Sequence, residues 1–158
     1  MRLVLATLIL AIVSSATLAQ ETKKEDALKG DLAKLQGKWS AMVGPNKDLP
    51  ITVTFKDLSA TILITINGEE RTIKGEFKLD DAKTPKQWDW TKFESPNGEK
   101  VPETFAIYKI EGDKLTIRSG GPGVLDRPTK FEAGEGGAPN LVEFTKVKEE
   151  PKKDEKGK

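Results

Sequence analysis

Ser40, Ser59, Ser95 and Ser119 carry hydroxyl groups that could act as nucleophiles, but the chain has no histidine to activate them and no cysteine to replace them. A serine and lysine pair is the remaining arrangement of that kind, and no spacing singles one out. The acidic pairs Glu69-Glu70, Asp80-Asp81 and Glu149-Glu150 suggest carboxylate chemistry only until geometry is considered. Adjacent residues of a strand point to opposite faces, so neighbours cannot converge on one bond, and no EF-hand spacing is present. Gly120-Gly121-Pro122-Gly123 looks like a phosphate cradle. Such a loop must lead into a helix whose N-terminus meets the phosphate, and Pro122 and Pro128 prevent an early helix there. These residues predict a protein that is not an enzyme, with no catalytic group, no metal site and no cofactor.

The aromatic residues remain. Trp39, Trp88, Trp90, Phe105 and Tyr108 bury a large area per side chain, and core packing is their ordinary use. Trp88 and Trp90 share one face of a regular strand while Asp89 takes the other. With Tyr108 they are the candidate wall of a ligand cavity. Arg127, held between Asp126 and Pro128 in a Gly/Pro-rich loop, is the candidate polar handle. A proline restricts the residue before it to extended backbone, so this guanidinium should project in a defined direction. It would pair with the acidic head of an amphiphile, or with Asp126 or another acid as a staple of the loop.

These groups need a scaffold, and from Gly37 onward the hydrophobic period is two. Ile51, Val53 and Phe55 alternate with polar residues; so do Ile62, Ile64 and Ile66, then Ile73, Gly75, Phe77 and Leu79. Trp88 and Trp90, Phe105 to Ile110, Leu115 to Ile117 and Leu141 to Val147 continue the series, and Lys38 to Val43 begins it. Asn67-Gly68 fits a type I′ hairpin, Asn97-Gly98 repeats the signal, and Gly112-Asp113 marks a third tight connection. About eight sequential strands joined by short hairpins make an antiparallel meander, which removes its exposed edges by closing into a barrel. Such an interior is either filled by side chains or holds one small ligand.

Before the strands, Thr22 and Glu25 have the spacing of a capping box, and Leu28, Leu32 and Leu35 follow at i, i+4 and i+7. One short amphipathic helix is expected from about Glu25 to Gln36. Residues 1–19 read as an export signal: Arg2, an apolar run from Leu3 to Val13 interrupted only by Thr7, and small residues up to Ala19. That run is too short for a membrane helix, so cleavage after Ala19 should leave no transmembrane segment. Without those nineteen residues the chain carries 25 basic and 25 acidic side chains. A net charge of zero argues against nucleic acid and anionic membranes as partners. Residues 20–24 form a polar linker, 25–148 the β domain, and 149–158 a charged tail expected to be disordered.

The run Asp31-Leu32-Ala33-Lys34-Leu35-Gln36-Gly37-Lys38-Trp39 resembles the start of an uncharacterised lipocalin-like domain family of exported planctomycete bacterial proteins. Gly75 to Asp80, Lys83 to Lys86, Ile107 to Leu115 and Arg127 to Phe131 are similar to further parts of that family's pattern. Gly37-Lys38-Trp39 also resembles the Gly-x-Trp opening of lipocalins. The resemblance implies that Gly37 and Trp39 form the barrel base, with the tryptophan as a plug beneath a short helix. It also implies a basic residue from the last strand on that ring, for which Lys146 and Lys148 are the matching positions.

The fold expected is therefore mainly β, an eight-stranded antiparallel meander closed as a lipocalin-like barrel with one short N-terminal helix. The function expected is an exported, periplasmic or extracellular binding module for a small apolar or amphiphilic ligand. The alternative is a solid-core structural or protein-interaction domain of the cell envelope whose partner is another exported protein. Oligomeric state is not encoded in any of these features.

Overall fold

Alternating residues become strands throughout a computed structural model that describes residues 28–120, 124–132 and 141–148. The expected export segment 1–19, the linker 20–24, the Thr22 and Glu25 capping box and the tail 149–158 lie outside the described residues. Among the described residues one helix, α1 (Gly30–Leu35), is followed by β1 (Gly37–Val43), β2 (Leu49–Lys56), β3 (Ser59–Ile66), β4 (Glu69–Asp80) and β5 (Lys86–Glu94). Then come β6 (Lys100–Val101), β7 (Thr104–Glu111), β8 (Lys114–Ser119) and β9 (Leu141–Lys146). All pairings are antiparallel. The sheet runs β4-β3-β2-β1-β9-β8-β7-β5, and β4 also pairs with β5, so eight strands close on themselves. The two-residue β6 only extends the edge of β5.

The turns follow from backbone chemistry. Asn67 and Gly68 both have positive φ, 53° and 82°, as a type I′ hairpin requires. Gly112, at φ 60°, opens the two-residue connection between the paired Glu111 and Lys114. At Asn97-Gly98 only the glycine has positive φ, and the turn closes through Gly98 N–H to Ser95 O at 2.9 Å. That hairpin leads into β6, not directly into β7.

The helix begins five residues later than its leucine spacing suggests, because Gly30 sits at φ 63° and a right-handed helix cannot run back through it. A Cβ at Gly30 would also lie 2.6 Å from the Asp81 carboxylate. Leu28 thus precedes the helix, while Leu32 and Leu35 pack on the core.

One phase shift matters for the interior. Lys74 pairs with Glu94 but Glu76 with Thr91, so β5 carries one extra residue across this step. Lys92 takes φ 51° at this bulge. The bulge turns Phe93 to the same side as Trp88 and Trp90, and its ring fills the place a Cβ on Gly75 would need.

Candidate functional site

The half of the barrel nearest α1 is solid. Trp39, Phe55, Phe77, Trp88 and Tyr108 are fully buried. Phe77 stacks on Trp88 at 4.7 Å, and the rings of Phe55 and Tyr108 stand edge-on to Trp88 at 5.4 and 5.6 Å. Three of the residues expected to line a cavity, Trp88, Trp90 and Tyr108, are therefore together, with Trp88 and Trp90 centred 4.7 Å apart. Two of them form the floor, and Trp90 alone is half-buried. The Trp88 indole N–H has no hydrogen-bond partner among the described residues.

α1 closes this end. The Trp39 Nε1 donates to Leu35 O at 2.7 Å, tying the strand to the last turn of the helix. The Lys146 ammonium lies 5.2 Å from the centre of the Trp39 ring and donates to Lys34 O at 2.8 Å. Gly37, at φ 102°, makes the bend between helix and strand. Gln36 falls within the run Asp31 to Trp39, which assigns it no role of its own. Its amide accepts from Asp57 N–H at 2.7 Å and donates to Asp57 O and Leu32 O, which holds the β2–β3 turn against the helix.

A second residue to which that run assigns no role is Asp31, which opens it and is only 3% exposed. Its carboxylate accepts from Lys86 at 2.5 Å, Lys34 at 2.9 Å and the Tyr108 hydroxyl at 3.3 Å. Burial pushes this carboxyl up, but the two lysines outweigh burial and hold it below the ordinary aspartate range. Burial, and then the negative charge of Asp31, raise the Tyr108 hydroxyl far above the usual tyrosine range, so it stays a donor. This cluster joins the helix, β5 and β7 with its groups used on one another.

Arg127 is on the outer wall. Its Nη1 donates to Trp88 O at 3.1 Å and Ala106 O at 2.6 Å, its Nη2 pairs with Asp89 at 2.5 Å, and its guanidinium lies over the Phe105 ring. Asp89 and Phe105 both face away from the interior, as the alternation from Trp88 and Ala106 requires. Arg118 Nε donates to Glu132 O at 2.6 Å and continues the strap along this wall. Beneath it Ile107 is fully buried although it points outward. Arg127→Lys, which keeps the charge but loses the planar fork, is expected to cost roughly 1–2 kcal/mol. Urea midpoints measure this, and an unchanged midpoint would show that the loop is held by other contacts.

The opposite end of the barrel is different. Ala41, Ile51, Ile62, Ile73, Val142 and Trp90 pack against the core from above yet are only partly buried. Here the barrel also forks. β1 pairs with β2 along its whole length and β9 with β8, but β1 and β9 pair only at Trp39–Lys146 and Ser40–Thr145. Beyond Ser40 the ladder stops although the two strands stay side by side, and an open cleft of about 460 Å³ lies at this fork. Its lining includes Met42, Lys47, Pro50, Leu141 and Glu143 with parts of Ala41 and Ile51, and because Trp39, Ile51, Val53 and Phe144 face inward, Met42, Pro50, Leu141 and Glu143 place it on the outer face of the barrel.

No family model, curated protein or solved structure matches this chain. The fork itself therefore carries the functional argument. It offers apolar walls, hydroxyls on Ser40, Thr52 and Thr145, and one charge of each sign, from Lys47 and Glu143.

Proposed function

We propose that this domain is an exported, non-enzymatic binding module of lipocalin-like type that takes a small apolar or amphiphilic ligand at the fork. The observation that carries this reading is the early end of the β1–β9 ladder, beside which a partly apolar cleft lies on the outer face. Its volume of about 460 Å³ falls in the range of small-ligand sites. The apolar run Leu3 to Val13 supports export. The fully buried ring cluster favours a second reading, a solid-core structural or protein-interaction domain.

Titration with the neutral fluorophore phenylnaphthylamine, followed by a panel of lipophilic competitors, separates the two. Saturable binding is expected, and Met42→Asp, at a side chain that is 50% exposed, should weaken it without moving the melting temperature. The expected loss is at least about fivefold, or roughly 1 kcal/mol. Absence of saturation with every probe would abandon the ligand reading and leave the solid-core one.

A further inference from the structure

Three sets of side chains line the cleft on the outer face of the fork. The first is a row of hydroxyls. Ser40 pairs with Thr52 on one side and with Thr145 on the other, so three hydroxyl side chains stand next to one another on adjacent strands, whose spacing is about 4.8 Å. All three line the cleft, and none makes a side-chain hydrogen bond among the described residues.

The second set is a pair of charges. Lys47, in the turn after β1, and Glu143, on β9, are both exposed on the cleft, and neither makes an ion pair among the described residues, with the other or with any third group. Opposite charges that share a cleft without closing on each other remain available to a ligand that carries both. The third set is apolar. Met42, half exposed, stands beside Pro50 in the β1–β2 register, and Leu141 lines the cleft from β9.

We infer that the ligand of the fork is a zwitterionic amphiphile: a head whose negative and positive groups meet Lys47 and Glu143, carried on a short alkyl chain that lies on Met42, Pro50 and Leu141. This rests on the reading of the fork as the binding site and names the class of ligand. An uncharged lipophile uses only the apolar part of the lining. A singly charged amphiphile gains one attraction but brings its charge into a cleft that also holds a like charge, whichever sign it carries. A zwitterion answers both charges and adds no net charge of its own. Its anionic oxygens also accept from the hydroxyls of Ser40, Thr52 and Thr145. Each of these polar contacts is solvent-exposed and individually small, so selectivity comes from their sum.

The probe is octyldimethylammonio-propanesulfonate, kept below its micelle concentration and titrated into the full chain while NMR follows the amides of the fork. Octanesulfonate and octyltrimethylammonium carry its two charges singly, the ethyl analogue carries both without the long chain, and phenylnaphthylamine is titrated in parallel. The zwitterion is expected to bind about threefold or more tighter than either singly charged compound, the size of effect that one exposed ion pair provides. The ethyl analogue should bind at least about tenfold more weakly, since it lacks most of the chain. Lys47→Glu should weaken the zwitterion about fivefold and tighten octyltrimethylammonium, and Glu143→Lys should weaken it likewise and tighten octanesulfonate. Both side chains are exposed, so neither change should move the melting temperature. Equal affinity for the zwitterion and the singly charged compounds overturns the proposal, as do charge reversals that leave its affinity unchanged or an ethyl analogue that binds as tightly as the octyl one. If phenylnaphthylamine shifts the fork amides while this pattern is missing, the zwitterionic class falls and the binding site stands. If no probe perturbs the fork, both readings fall.

Discussion

Replacing Trp39 by alanine is expected to cost the domain about 3–5 kcal/mol, the range for truncating a large buried aromatic side chain. Trp39 is fully buried at the closed end, where the collapse that softens many cavities is opposed on two sides. Above it stand the rings of the floor, and below it α1 is held through the Trp39 Nε1 bond to Leu35 O. Truncation therefore opens a void and removes the donor that fixes the helix to β1. Trp39→Phe separates the two contributions, because it keeps most of the volume and loses the bond, and about 1–2 kcal/mol is expected for it. Chemical denaturation of the three proteins gives the comparison. A loss below about 1 kcal/mol for the alanine variant would mean that Trp39 does not act as a plug.

The second large effect is expected at Asp31. Removing one member of a buried ion pair costs about 3–5 kcal/mol when the partner is left stranded. Here both partners, Lys34 and Lys86, reach solvent, with side chains 64% and 40% exposed, and can rehydrate. For Asp31→Asn roughly 2–3 kcal/mol at neutral pH is the discounted expectation. The dependence on pH distinguishes charge from shape. The Asp31 carboxyl is held below its unfolded value of 3.8, so its contribution is present above that pH. It is lost as the pH falls through the lower folded value, where the unfolded chain binds a proton that the folded one refuses. Urea midpoints of parent and variant should thus draw together on going from pH 7 to about pH 3. An undiminished gap in acid would show that the amide fails for steric reasons and that the ion pair contributes little.

Much of the barrel was legible because the features that build it are local. Alternation assigned the inward faces of β2, β3 and β4, and Asn67-Gly68 could be read as a hairpin because both residues tolerate positive φ. Trp88, Trp90 and Tyr108 were legible as neighbours for the same reason of parity. Where a contact distant in sequence decides the backbone, the reading failed. Asp57 adopts φ 55° with no glycine to announce the turn, since Gln36, 21 residues earlier, bonds both its N–H and its carbonyl. The extra residue at Lys92 shifts the parity of β5, and nothing in the alternation says that Phe93 then faces inward. Arg127 could be seen as a directed guanidinium, but its acid, Asp89, is 38 residues away and on the other side of the wall from the ring cluster. The fork was out of reach for the same cause: it depends on how far two strands at opposite ends of the domain remain in register.

That remoteness has a consequence for folding. Every other seam of the barrel joins strands separated by no more than the 21 residues between β8 and β9, whereas Ser40 and Thr145 lie 105 positions apart in the chain and meet in a ladder of two pairs. Closing so long a loop costs the most chain entropy for the fewest bonds. The seam therefore zips last, once the meander from β2 to β8 has curled far enough to bring β1 and β9 into reach. Beyond those two pairs the seam is held by Val147 N–H to Lys38 O, by Lys146 to Lys34 O and by Lys146 over the Trp39 ring. The barrel thus behaves as a curled sheet with a clasp. Chains in which the clasp is open would present two strand edges to one another, and exchange of β9 between molecules is the misassembly expected of this architecture.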